Sequence, residues 1–426
     1  MKLILSLVLI FAILSIVKSA KITFDSSKDC ITQTCDFSTA SNWVGGVAPK
    51  AGDEVVISLG SKSVIIMNSF VAFSSVTVTS SILKLNSISS AGTFSNVVLE
   101  KNAQFIVNAA SQSTLSSITG SGLLIVDPSQ EQTGLTIKGA QVDGVYLNGY
   151  VSATIQDSTA GFVSQYNASE FVQGPPKQVS FTGTNKVGVL YILGNGLSFA
   201  NSFTIDGSIL PSTYSDLTSY IGSSESSSED TIAIKATTLT ITNAKDIGNA
   251  ATLVFQGTTL SISSSSFTGG FTSEAQDVSF DGFVKFGTDS SFANNIVFQT
   301  TFIQINIQGK FTFNSANVNL KKVGSNSPFI IAIGGMKIDG SITLNFENEP
   351  NESQEFIIFK SIGVMEGEFD SVSMNIQDDS VSSKEFSTTI KNNIFILTYS
   401  DQIGSASNLS ASLVLILSIS FLLTLF

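Results

Sequence analysis

Three aspartates, Asp206, Asp281 and Asp339, each stand immediately before a glycine in a nine-residue pattern that recurs along the chain. If the copies stack, the carboxylates align on one outer face, and two carboxylates held close can divide the acid and base roles of glycoside cleavage. Other copies carry Asn148, Gln256, Gln308 and Lys235 at the same place, so the position also reads as merely polar and exposed. The supporting chemistry is thin. The chain has no histidine, and all 21 of its basic residues are lysine. It therefore lacks the commonest general base and metal ligand, and the two-pronged cation that clamps anions. No catalytic, cofactor-binding or metal-ligating residue is assigned, and a non-enzymatic protein without cofactors is expected.

The elements that would position these residues come from the pattern itself: apolar, x, apolar, x, Gly, x, apolar, x, apolar. Its clearest copies are 278–286 around Gly282, 305–313 around Gly309 and 336–344 around Gly340, with others around Gly149, Gly207 and Gly257. A copy at 232–240 has Ala236 in place of glycine, and looser ones run through Ser80, Lys101 and Gly122. Strict alternation marks a strand with one buried face, and it predicts that the central glycine points inward with the apolar residues. So short a unit cannot bury its apolar face alone, whereas stacking turn on turn does so. The expected fold is all-β: a right-handed parallel β-helix of roughly ten to twelve turns with N- and C-terminal caps. The alternative is a tandem pair of antiparallel β-sandwiches. Those should place Asn-Gly or Asp-Gly turns between strands, but here such dipeptides mostly fall inside the copies.

The expected organisation is a signal peptide at 1–20, an N-terminal cap at 21–54, the β-helix at 55–346, capping strands at 347–400, a linker and attachment region at 401–412 and an apolar tail at 413–426. Loops thrown out from the helix are expected near 157–186, which contains Gly174-Pro175-Pro176, and near 211–230, with its acidic, serine-rich run. Residues 1–20 carry the charged, apolar and small-residue zones of a secretory signal, with a cut after Ala20. The tail is apolar to the last residue, has no basic flank and follows the small-residue stretch 404–407. That arrangement predicts exchange of the tail for a glycosylphosphatidylinositol (GPI) anchor, with Ser405 as attachment candidate, on the extracellular face of the plasma membrane. Asn167 and Asn351 lie in N-glycosylation sequons. A third sequon at Asn408 falls where the tail would be cut.

Charged residues make up only 13% of the chain, which leaves an uncharged polar surface of Ser, Thr and Asn over a Val, Ile and Phe interior. Two of the 21 lysines lie in residues 1–20, so the remainder carries 19 lysines against 33 acids, a net charge near −14. Nucleic acid is excluded as a partner because nothing would neutralise its phosphates. Cys30 and Cys35 are expected to form a disulfide in an oxidising compartment, tying a small loop for about 2 kcal/mol.

Residues 37–57 hold Asn42-Trp43, Gly45-Gly46, Pro49 and Gly52-Asp53 ahead of an apolar strand. This segment resembles the opening of secreted β-helix proteins, both autotransporter-type adhesins and the eight-glycine domain of eukaryotic surface proteins. Some eight-glycine relatives take part in hyaluronan breakdown, but not through this segment, so no catalytic residue is carried over. Physically, Trp43 suits the closing of an open apolar end, and Asp53 suits a turn into the first strand. Residues 354–359, 367–369 and 393–399 resemble the closing turns of such rods. The function expected is adhesion to, or recognition of, a glycan or surface protein. A structural coat component and a polysaccharide-acting enzyme are the alternatives.

Overall fold

The computed structural model describes residues 19–60, 63–68, 71–88, 93–109, 113–127, 132–148, 151–166, 178–192, 197–199, 201–221, 231–248, 252–298, 304–319, 330–346, 354–376 and 385–400. With 67% strand against 3% helix, and parallel strands stacked as a β-solenoid of about 10 turns, it is a β-helix and not a pair of sandwiches. Two compact units divide the chain, residues 1–258 and 259–426.

In the first unit each turn contributes to three columns of parallel strands. The first column runs from Lys21–Thr23 through Glu54–Ser58, Ser75–Thr79 and residues 97–100 and 118–120 to Ser202–Asp206 and Thr238–Thr242. The second passes from Cys35–Asp36 through Val64–Met67 and residues 82–85, 104–107, 123–126, 144–148, 162–166 and 189–192 to Tyr220–Ile221. A third begins at residues 93–95 and ends with Thr231–Lys235 and Thr252–Gln256. Because the columns are in register, like stacks on like: Val55, Val76, Val97 and Ile118 form one line and are fully buried. Each such side chain contributes about 1.5–3 kcal/mol of burial, and no single turn could bury it alone.

Trp43 lies at the start of this stack, buried between Phe24 and Phe37 with both ring centroids at 4.8 Å and its Nε1 donating to the Phe37 carbonyl at 2.8 Å. Asp53 accepts from the backbone N of Lys50 at 2.8 Å, holding the turn before the strand Glu54–Ser58. Cys30 and Cys35 are disulfide-bonded, with Cα atoms 5.3 Å apart.

The second unit repeats the three-column plan. Val278 pairs with Ile296, Ile296 with Ala316, Ala316 with Ile342 and Ile342 with Val372, which traces its first column. Phe286, Ile307, Ala332 and Ser361 follow one another in the second, and Phe292, Phe313 and Ile338 in the third. The unit closes with a hairpin. Ile394–Ser400 lies antiparallel on Gln354–Ser361 and on Glu385–Lys391, turning at Asn392 and Asn393, both with positive φ as a tight two-residue hairpin requires.

Two expectations need correcting. The central glycine of the nine-residue pattern does not point into the core. The three clearest copies each straddle a corner between two columns, and the glycine makes the corner: Gly282 joins the first column to the second, Gly309 the second to the third and Gly340 the third to the first. Gly282 and Gly340 have φ of +63° and +68°, where a side chain is strained. Nor do the described parts of 157–186 form a thrown-out loop; residues 167–177, which hold Gly174-Pro175-Pro176, lie outside the described residues. Thr159–Tyr166 and Val179–Thr182 continue the columns, and the alternation of buried Val179 and Phe181 carries the second of these strands despite the nearby prolines.

Parallel pairing also starts before residue 55, at Lys21–Thr23, and continues past 346 through Ser371–Ile376. Asn167, Asn351, Ser405, residues 1–18 and the tail 413–426 lie outside the described residues. Among the described residues, no helix is long and apolar enough to cross a membrane.

Candidate functional site

Of the three aspartates that opened the chemical reading, the two in the second unit, Asp281 and Asp339, are not brought together. In the second unit Asp281 ends a strand of the first column, paired with Ser263, while Asp339 follows a strand of the third column and is exposed, accepting from the backbone N of Gly340 at 2.9 Å. Asp206, in the first unit, pairs with Thr242. Burial acts to raise its pKa, but the Lys186 ammonium at 2.7 Å and two hydrogen bonds from Ser208 outweigh it and hold the carboxyl down to about 2. As N-cap of the 3-10 turn Gly207–Ile209, Asp206 is a structural anion and not an acid held ready. Asn148 is buried, 3% exposed, and donates to Asp127 at 2.9 Å, so that position is not uniformly an exposed one. In the second unit the copies around Gly282 and Gly340 sit at different corners and put Asp281 and Asp339 on different faces, so no ladder forms between those two.

A different constellation forms on the outer face of the first unit's second column. In that column inward residues such as Val145, Val163 and Leu190 are buried, and the residues beside them point out. One outward line holds Phe162 and Val189, which are buried nonetheless, the first fully and the second at 7% exposure. What covers them is the segment between Asp206 and Tyr220. It leaves the corner as the 3-10 turn Gly207–Ile209, makes a second such turn at Ser212–Tyr214 and returns at Tyr220–Ile221.

The cover is seated on glycine. A Cβ at Gly161 would run into Pro211, and one at Gly188 would meet the backbone of Leu210 at 2.9 Å. These two positions of one corner must therefore stay bare for the cover to lie flat. Phe162 is gripped edge-on by Tyr146 and Tyr214, each with ring centroid at 4.9 Å. Burial raises the pKa of the Tyr214 hydroxyl, with repulsion from Asp143 and Tyr146 adding to it, and burial likewise raises the Asp143 carboxyl.

Beside the cover is a concavity of about 120 Å³, bordered by Gly188, Leu210, Leu217, Ser219, Asn243 and Lys245. It holds the equivalent of a few water molecules, enough for a substituent and too little for a whole ligand. The adjacent outward line of the second column reads Tyr146, Ser164, Tyr191, Tyr220 in successive rungs. The Tyr191 and Tyr220 rings lie 5.4 Å apart at 34°, and Tyr191 is 38% exposed.

Sequence reasoning singled out none of these aromatic residues. One signal was present: six of the seven tyrosines of the chain fall between residues 146 and 220. Comparison with protein-family models, with curated proteins and with solved structures finds no match, so the geometry stands by itself.

Proposed function

We propose that the protein is a non-enzymatic, GPI-anchored glycoprotein of the outer cell surface that recognises a ligand through the covered outer face of its first unit. The carrying observation is the convergence there of Tyr146, Phe162, Tyr191, Tyr214 and Tyr220 beside a small concavity of mixed polar and apolar lining, while Asp281 and Asp339, which might have cut a glycan, end strands of different columns. A solenoid needs only small polar residues on its outer faces. Adding a glycine-seated cover and a row of half-exposed rings is a departure from that economy, and such departures are characteristic of binding surfaces. Anchorage rests on the two terminal segments, one with the zones of a secretory signal and one with those of a GPI tail. A stiff stack of strands then serves to present the covered face.

The test displays the full-length protein on cells and probes them with glycan panels and with soluble ectodomains of surface proteins. Binding that is lost when Leu210, Tyr214 and Leu217 are together changed to Ser supports the reading. Binding indifferent to those changes, or uniform incorporation into an insoluble coat with no ligand bound, overturns it in favour of another face or of a structural role. Incorporation of labelled ethanolamine checks the anchor, and recovery of an intact C-terminal peptide ending at Phe426 would count against it.

A further inference from the structure

The outer tyrosine line has a gap in it. Tyr146, Ser164, Tyr191 and Tyr220 are Cα partners on four successive rungs, so their side chains leave the sheet in the same direction. Three of the four positions carry rings and the second carries a hydroxymethyl. Parallel strands lie ~4.8 Å apart, so Tyr146 and Tyr191 stand roughly 9.6 Å apart with Ser164 as the floor between them.

Both walls of this slot are packed against neighbouring rings. Tyr146 is packed edge-on against Phe162, which the cover fixes through Tyr214. Tyr191 is backed by Tyr220 at 5.4 Å, and the bare Gly248 on the next rung leaves room for the Tyr220 ring, whose Cδ2 would stand 3.0 Å from a Cβ there. Slots with rigid walls lose little entropy on filling.

We propose that the slot over Ser164 seats one sugar ring of a linear, uncharged glycan whose chain runs along the column of strands. The inference rests on the recognition reading given above and names its ligand class. Three observations point to that class. Tyrosine offers an apolar face for the C–H side of a pyranose and a hydroxyl for its rim, and Ser164 supplies a further donor and acceptor on the floor. The rung repeat is close to the length of one sugar unit in an extended chain, so neighbouring units meet the neighbouring rings in step. Charge favours a neutral glycan over an acidic one: acids outnumber lysines by 33 to 21 over the chain, and Asp143 beside the cover offsets Lys245 at the concavity.

The experiment titrates the full-length protein, purified in detergent, with β-1,4-linked oligomers of glucose, xylose and N-acetylglucosamine from mono- to hexasaccharide, and with oligogalacturonate and hyaluronan oligomers as acidic counterparts. Affinity for at least one neutral series is expected to rise with length and then level off. Ser164→Phe, which fills the gap with a ring matching its neighbours, and Tyr191→Ala, which removes a wall, should each lower that affinity about tenfold or more, while Tyr191→Phe stays within about threefold. Thermal melts identical to wild type for all three variants would show that the losses are not unfolding. Neutral oligomers binding Ser164→Phe and Tyr191→Ala as tightly as wild type would overturn the slot and leave the recognition reading to another part of the face. Tight binding of acidic oligomers or of a protein alone would overturn the ligand class. Absence of binding to every glycan and surface protein would sink both.

Discussion

In the second unit the described rings turn inward for the most part, with Phe283 the exposed exception. Phe267 and Phe286 stack at 5.1 Å and 17°, Phe271 and Phe292 lie 6.2 Å apart at 12°, and Phe280 meets Phe292 edge-on at 5.1 Å, all of them buried. In the first unit, between residues 146 and 220, Phe181 and Phe203 stay buried, but Tyr146, Phe162, Tyr191 and Tyr220 turn outward and a separate segment must fold over to cover part of them. Both arrangements use the same register of stacked rungs. Inward phenylalanines are what a solenoid needs to fill its bore, whereas nothing in the fold requires the outward tyrosines. In a repeated architecture, function is sought where a side chain type appears on the face that packing does not govern.

The sharpest way to break that comparison is to remove one ring of each kind. Phe292→Ala empties a site shared with Phe271, Phe280 and Phe311 and should cost about 3–5 kcal/mol in denaturant unfolding. If Tyr191→Ala cost as much, the outer line would be structural after all.

Corners come next in size. Gly340 sits at positive φ with its would-be Cβ directed at the Asn314 carbonyl, so Gly340→Ala should destabilise by roughly 1–3 kcal/mol. A neutral outcome in the same unfolding measurement would restore the idea of an inward, merely space-saving glycine.

Smaller again is the anchor of the cover. Asp206 has a folded pKa of about 2, below the unfolded-state value of roughly 3.9, so its stabilisation is present above that unfolded value and is lost as pH falls through about 2. Its partner Lys186 is 40% exposed, which screens the pair. Asp206→Asn is therefore expected to cost only about 1 kcal/mol at neutral pH. The gap between variant and wild type should close when both are unfolded at low pH, and a gap that persists there would assign the stabilisation to something other than the charge. Least of all in stability is Tyr191→Ala, within about 0.5 kcal/mol by thermal melt, although its effect on ligand affinity should be the largest of the set.

Much of the fold was legible because alternation such as Val278, Phe280, Val284, Phe286 reports a buried face directly. The corner was misread for a definite reason. A nine-residue window sees the same alternation before and after a bend, and a glycine at its centre fits a straight inward position or a left-handed turn equally well. Only the pairing of Phe286 with Ile307 and of Phe280 with Phe298 separates the two halves onto different columns. The candidate face was illegible for a different reason. Tyr146, Ser164, Tyr191 and Tyr220 are unequally spaced in sequence and meet only because turns differ in length by whatever the corners hold, so no fixed period could have announced them. Asn185 shows the same thing on a small scale: its Oδ1 accepts from the backbone N of Ser158 at 3.0 Å, across turns of a length the sequence does not advertise.

The closing hairpin has a consequence for self-assembly. A parallel stack is its own template: the last rung offers a row of N–H and C=O groups with a fixed direction, on which the first rung of another copy could continue the coil into a fibre. Here Ile394–Ser400 reverses direction on Gln354–Ser361, and Glu385–Lys391 lies beyond it, reversing direction once more. A newcomer would meet an outer strand, beginning with Glu385 and ending with Lys391, that stands two strands above one column while the other columns end at Met365–Glu366 and Ser371–Ile376, so the columns cannot all be continued from one level. Polymerisation is thereby frustrated at its growing point, as a capped filament is, and a chain truncated before residue 385 should form thioflavin-binding fibres at concentrations where the intact chain stays dispersed.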